Sequence, residues 1–156
     1  LGPVYVDCNE LNYLQIEKEG FYRNRADYAC DAENSEHAIY AFSAAYVNAL
    51  GLETDTPLKE TTGVVVGHTS FKESVKMQLW GPDEMSPINN GRGKDFYFDV
   101  DGTLKSRLNR TAKNGNFVIL DAPEGLSYIQ AFNKKNRTLS YWPILLSAST
   151  VNVYIQ

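Results

Sequence analysis

Hydrophobic and polar positions along the chain change their period once, near residue 62. From Leu1 to Ala29 the pattern is polar and aromatic, with short alternations at Val4 and Val6 and at Tyr13, Leu14 and Ile16. This predicts extended chain with one or two short strands. A single helical stripe follows: Ile39, Phe42, Tyr46 and Leu50 recur at intervals of three and four, which predicts one α-helix over about 35–50. Asn34 or Ser35 can cap it, Glu36 favours its first turn, and Gly51 stands where a helix stops. A polar linker from Glu53 to Thr62, with Pro57 inside it, leads into a different regime.

Beyond Thr62 the period is two. Gly63 to Gly67 is a compact β-branched run, and Ser74 to Trp80 sets Val75, Met77 and Leu79 against Lys76, Gln78 and Trp80. Gly81-Pro82-Asp83 turns the chain, residues 86–95 have loop composition, and Phe96-Tyr97-Phe98 starts a strand. Leu104 to Leu108 reads as strand, and Asn114-Gly115 is the strongest two-residue hairpin signal in the chain. Further strands are expected at Asn116–Leu120, Ser127–Phe132, Tyr141–Leu146 and Thr150–Ile155, with turns at Pro123–Gly125 and Asn133–Arg137. The expected fold is mostly β: an antiparallel β-sandwich of about seven strands, with an N-terminal extended arm and one α-helix. Residues 1–60 form the arm and helix, packed on the sandwich or on a neighbouring subunit, and residues 61–156 form the sandwich.

Several of these stretches carry a resemblance. Gly63-Val64-Val65-Val66, Ser74-Val75-Lys76-Met77-Gln78-Leu79, Thr111 to Ile119 with its Asn114-Gly115-Asn116-Phe117, Ala122 to Ala131 and Val151 to Ile155 together resemble carboxypeptidase-regulatory-like or transthyretin-like β-sandwich modules. The likeness covers roughly residues 60–156. It implies a non-catalytic sandwich of secreted proteins, used as a spacer, in carbohydrate binding or in assembly. The N-terminal third has no counterpart in it.

Composition narrows the partners. A net charge of -4 and a pI near 5.2 give no global positive field for nucleic acid or an anionic membrane. No apolar run approaches the roughly 18–20 residues that span a bilayer, so a soluble protein without a membrane span is expected. Cys8 and Cys30 are the only cysteines and lack metal-site spacing, so a disulfide between them is expected, with two buried free thiols as the alternative. It would contribute about 3 kcal/mol in the chain-entropy model. Two sequons, at Asn109 and Asn136, add candidate glycosylation sites. The chain starts on Leu1; removal of a signal peptide and simple trimming both account for that. Disulfide, sequons and start together favour an extracellular, secreted location.

The total charge hides a division. Residues 1–60 carry eleven acids and four bases, and residues 61–156 carry eight acids and eleven bases. The bases gather at Lys105, Arg107, Arg110 and Lys113 and at Lys134, Lys135 and Arg137. Complementary regions of this kind favour head-to-tail contact between copies, while pairing of the same charges inside one copy is the alternative. Tyr5, Tyr13, Phe21, Tyr22 and Tyr28 place interface-type aromatics in an arm with no core pattern of its own. The candidate subunit interface therefore comprises Tyr5, Tyr13, Phe21, Tyr22, Lys105, Arg107, Arg110, Lys134 and Lys135.

Candidate chemistry is sparse. Phe96 to Leu104, with Asp99-Val100-Asp101-Gly102-Thr103, is similar to the first motif of haloacid-dehalogenase-type phosphotransferases, in which the first Asp attacks phosphorus and the second is acid and base around magnesium. The later Lys and acidic pair of that family have no counterpart, so the segment is read as a strand ending in an Asp/Gly turn and no catalytic residue is assigned. Asp99 with Asp101, or Asp27, Asp31 and Glu33, supply oxygen for a structural calcium ion but lack the EF-hand pattern, so no metal ligand or cofactor is assigned. His37 sits in the acidic opening of the helix and His68 at a strand end, neither with a nucleophile at recognisable spacing. The expectation is a structural subunit whose partner is another copy of itself. The alternatives are a secreted carbohydrate- or protein-binding module, with exposed Tyr and Trp side chains stacking on sugar near residues 86–95 and 133–138, and a magnesium-dependent phosphohydrolase.

Overall fold

The computed structural model describes residues 12–28, 40–71, 73–83 and 91–155. They form β1 (Asn12–Ile16), β2 (Arg23–Tyr28), α1 (Ala44–Glu53), β3 (Thr62–His68), β4 (Lys76–Trp80), β5 (Lys94–Phe98), β6 (Leu104–Lys105), β7 (Asn116–Pro123), β8 (Gly125–Phe132), β9 (Thr138–Leu146) and β10 (Thr150–Ile155). The mostly-β fold with one helix is as expected, with ten strands rather than about seven. A seven-stranded sheet in the order β1-β2-β10-β3-β7-β5-β6 lies against a three-stranded sheet, β4-β8-β9. The large sheet is mixed rather than purely antiparallel, because β10 runs parallel to both β2 and β3.

Both faces of the large sheet are covered. Val65, Tyr97, Phe117 and Ile119 meet Met77, Leu79, Ile129, Ile144 and Leu146 of the small sheet. On the opposite face Val64, Val118, Leu120 and Val151 pack against Val47 and Leu50 of α1. Neighbours such as Val64 and Val65, or Val118 and Ile119, thus bury on opposite sides, which explains continuous apolar runs where a one-faced strand would alternate. Asn152, buried within β10, donates to the Val64, Ser147 and Thr150 carbonyls and accepts from the Ser147 N–H, fixing the β9–β10 connection against β3.

The helix starts later than its stripe predicts. Residues 40–43 are not helical: Phe21 and Ser43 form an antiparallel bridge, the Phe42 N–H donates to Asn24 Oδ1 at 2.9 Å, and the Tyr22 N–H donates to the Phe42 carbonyl. These contacts hold the chain extended, so Ser43, not Asn34 or Ser35, caps α1, its hydroxyl accepting from the Tyr46 N–H. The helix runs through Gly51 to Glu53, and Thr54 closes it with its N–H and hydroxyl on the Leu50 carbonyl.

Two turn expectations also change. Asn114-Gly115 joins no hairpin: β6 is only Leu104–Lys105, and β7 pairs with β5 and β3. Gly115, at φ +67, turns the chain into β7 beneath the Thr69 carbonyl. Pro123–Gly125 carries the chain from the large sheet to the small one, with Asp121 at φ +55 and Gly125 at φ +107. The 133–137 turn is a true hairpin between β8 and β9, with Asn133 Oδ1 accepting from the Lys135 and Arg137 N–H groups.

Candidate functional site: two charged ends and an uncovered edge

The registers define two ends of the molecule. At one lie the ends of β3 and β10 at His68 and Ile155, the start of β7, and the 133–137 hairpin, beside which Lys76 pairs with Phe132. Lys76, Arg110, Lys113, Lys134, Lys135 and Arg137 gather there, and Lys105 and Arg107 lie on the connection that approaches it. Arg110 is fixed by donating to the Phe132 carbonyl at 3.0 Å and to Asn136 Oδ1 at 3.2 Å. Among the described residues none of these cations is in a salt bridge. Among the described residues Glu73, Asp99 and Asp101 lie at this end with them, and the pairing of Asp27 with Tyr13 sets a further acidic position of β2 there.

At the other end lie the β1–β2 connection, the start of β3, and the β7–β8 and β9–β10 turns. Glu17, Glu19, Glu60, Asp121 and Glu124 collect there, joined by Glu53 and Asp55 from the end of α1. Four bases are interspersed at this end: Arg23 pairs with Glu17 at 3.0 Å, Lys59 pairs with Asp121 at 2.8 Å, Lys18 lies on the β1–β2 connection, and Lys94 acts on the Asp121 carboxylate. The Lys59 ammonium holds the Asp121 carboxyl below the usual carboxylate range. The strands thus run between a basic end and an acidic end.

The two edges of the small sheet differ. Along β4, three successive outward-facing residues are capped. The Val75 N–H donates to Thr111 Oγ1 at 3.0 Å and the Thr111 N–H to the Val75 carbonyl at 2.8 Å. The Met77 N–H donates to the Tyr97 hydroxyl at 2.9 Å, and the Arg92 N–H donates to the Leu79 carbonyl at 2.6 Å. The Tyr97 hydroxyl proton lies between the Met77 carbonyl, 3.2 Å, and Asp95 Oδ2, 2.8 Å. Burial, reinforced by the Asp95 charge, pushes this phenol far above its ordinary pKa.

On β9 no described residue forms a comparable cap. Met77 and Leu79 face their backbone groups outward, so Gln78 bonds β8; carried through Gln78–Gln130 and Ile129–Trp142, this alternation turns the backbone of Tyr141, Pro143 and Leu145 away from β8. No described residue bonds those groups. The side chains of Tyr141 and Leu145 are 56% and 47% exposed. The large sheet continues past this edge: Trp142 touches Tyr154 of β10, ring centroids 5.7 Å apart, and Arg25 of β2 donates to Ser147 Oγ. The β2–β1 pair therefore projects as a shelf, with the Arg25 guanidinium 4.1 Å from the centroid of the exposed Tyr13 ring.

A cleft of about 380 Å³ opens on the helix side at the basic end. Tyr40, Phe42, Tyr46, Phe98 and Tyr154 line it, and His68 Nδ1 lies 2.9 Å from Asn116 Oδ1 at its rim. Burial raises the Tyr154 phenol pKa, and burial together with the Glu53 charge raises that of Tyr46.

Of the residues singled out from sequence, Tyr5, Cys8, Cys30, His37, Asp31 and Glu33 lie outside the described residues, as do the side chains of Asp27 and Tyr28. Tyr13 is exposed, Phe21 is half-buried under the Lys18 ammonium, and Tyr22 packs against the helix-side core. Asn109 and Asn136 are both exposed, Asn136 at φ +55. Asp99 and Asp101 form the β5–β6 turn, where Asp99 Oδ1 accepts from the Val100 N–H and Asp101 Oδ1 from the Thr103 N–H. That last bond holds the Asp101 carboxyl below its usual range. Among the described residues no three His, Cys, Asp or Glu side chains converge. Trp80 and Trp142 are not exposed stacking platforms: Trp80 is 1% exposed, and Trp142 packs between Phe71 and Tyr154. The Tyr97 cap, the shelf beside β9 and the aromatic cleft have no signature in the sequence, since each joins residues far apart in the chain. No helix among the described residues is long and apolar enough to cross a membrane. The chain matches no protein-family model, no curated protein and no solved structure.

Proposed function

We propose that this protein is an extracellular structural subunit that self-assembles head to tail, the basic end of one copy seated on the acidic end of the next, into a filament or surface layer. The observation that supports the reading is the segregation of charge along the strand axis among the described residues, where the basic-end cations form no salt bridge. Such ends attract one another and disfavour the reverse orientation, and a heterologous contact that does not close on itself propagates. Residues 60–156 serve in this reading as the transthyretin-like module, and the disulfide expected between Cys8 and Cys30, with the sequons at Asn109 and Asn136, supports a location outside the cell. Sedimentation velocity across a concentration series tests it. Assembly is expected at low ionic strength, weakening as salt shortens the Debye length toward about 3 Å near 1 M. Lys134→Glu with Lys135→Glu is expected to abolish it. Monomers alone at every concentration and salt overturn the proposal.

The aromatic cleft favours a second reading, a secreted binding module for a carbohydrate whose ring stacks on Tyr40 or Tyr46 beside His68 and Asn116. Glycan-array binding that disappears in Tyr46→Ala supports it, and an array with no bound glycan removes it.

A further inference from the structure

We infer that the β9 edge, which no described residue covers, is an acceptor groove for one extended strand, and that its occupant is the residue 1–11 segment of a neighbouring copy; this rests on the head-to-tail reading. The groove has a wall and a floor. Its wall is the outward backbone of Tyr141, Pro143 and Leu145, and its floor is the β2–β1 shelf carrying Arg25 and Tyr13. Trp142 and Tyr154 are only half-buried at its inner side, although they pack against the inter-sheet core.

The shelf decides the kind of occupant. A second copy pairing its own β9 with its large sheet on the same side would bring that sheet into the layer that β2 and β1 already fill, which disfavours such a sheet-to-sheet dimer. A single chain, needing about 4.8 Å of lateral room, is not disfavoured in this way. Pro143 offers only its carbonyl, so the N–H donors of the ladder come from Tyr141 and Leu145, which restricts the registers a guest strand can take.

Topology and charge identify the guest. β1 begins at Asn12, paired with Tyr28 at the end of β2, so the described chain starts at the basic end. In an end-to-end contact that end meets the acidic end of the next copy, where β9 terminates at Leu146, opposite Gly125. Eleven extended residues reach roughly 36 Å at about 3.3 Å each, enough to cross the junction and run along β9. Continuing the direction of β1, the guest lies parallel to β9. Val4 and Val6 alternate as a strand with one apolar face requires.

The test uses the full chain with the photo-crosslinker benzoylphenylalanine in place of Tyr5, mixed with an equal amount of the same protein made with heavy isotopes. The expected product is a crosslink between light and heavy copies that maps by mass spectrometry to Thr138–Leu146. Its yield should fall about tenfold with Tyr141→Pro, which removes an outward N–H that β8 does not use, corresponding to loss of a backbone bond and its packing. Leu145→Lys, exposed and outside the core, serves as a second variant if Tyr141→Pro does not fold. Crosslinks confined to single copies, or mapping away from β9, overturn the inference. Salt-sensitive assembly without a β9 crosslink defeats the groove and leaves the end-to-end contact standing; absence of all assembly defeats both.

Discussion

Replacing Tyr97 by Phe removes one oxygen from the centre of the β4 cap. The ring is fully buried, so its packing survives, while the Met77 N–H loses its acceptor and Asp95 loses a donor. A buried donor left unsatisfied costs about 1–3 kcal/mol, and the bond to a charged acceptor adds to it, so Tyr97→Phe should destabilise by about 2–3 kcal/mol. For a domain of this size that lowers Tm by roughly 4–12 °C. Urea unfolding gives the free energy, and hydrogen exchange at the Met77 amide shows whether the loss is local to β4. The same hydroxyl makes a pH prediction. Its folded pKa is raised above the unfolded value near 10, so its contribution is complete below about pH 10 and is lost as pH rises toward the folded pKa. Its share of the slope in that window is about 1.4 kcal/mol per pH unit, and Tyr97→Phe should reduce the alkaline slope by that share while the raised Tyr154 and Tyr46 phenols keep theirs. A loss below about 0.5 kcal/mol, or an unchanged alkaline slope, would show that the β4 edge does not depend on this group.

Other perturbations have equally definite outcomes. Gly115→Ala should cost more than about 3 kcal/mol in chemical denaturation, because its Cβ would sit 1.9 Å from the Thr69 carbonyl oxygen at a positive φ. Asp121→Asn keeps a residue tolerant of φ +55 and gives up only a half-exposed ion pair, so its loss should stay below about 1 kcal/mol. The contribution of the Asp121 charge is present above the unfolded carboxylate pKa, and acid titration should show it fading as pH falls through the lowered folded value. Asp121→Val, β-branched at the same φ, should be clearly worse than Asp121→Asn in the same denaturation series. Ser43→Ala removes the cap of α1 and should cost about 1 kcal/mol by thermal melting.

Strand content was legible in the sequence because period-two patterning is local: β3, β4, β8 and β10 fall where Gly63–Gly67, Ser74–Trp80, Ser127–Phe132 and Thr150–Ile155 indicate. The start of α1 was not, because the Phe21–Ser43 bridge that holds the chain extended up to Ser43 joins two distant segments. Asn114-Gly115 misleads for a related reason: its turn chemistry is real, but the Thr69 carbonyl above it, not a hairpin partner, fixes the geometry. The charge division was visible as a split between halves of the chain. Only the registers turn it into two ends of one body, since the basic hairpin of β8–β9 and the acidic β1–β2 connection lie at opposite ends of the strands. The β9 groove depends on which strands lack neighbours, and no residue pattern encodes that.

The parallel seat of β10 between β2 and β3 also sets an order of events in synthesis. The β1–β2 hairpin joins the large sheet only through Thr150–Val153, so its docking surface does not exist until nearly every other strand has left the ribosome. Such non-local pairing is slow to form, and the N-terminal hairpin must wait as an unpaired, aromatic segment while the rest condenses. A chain stalled before residue 150 would therefore expose strand edges on β2 and β3 together, and chaperone capture during translation should be concentrated at that stage.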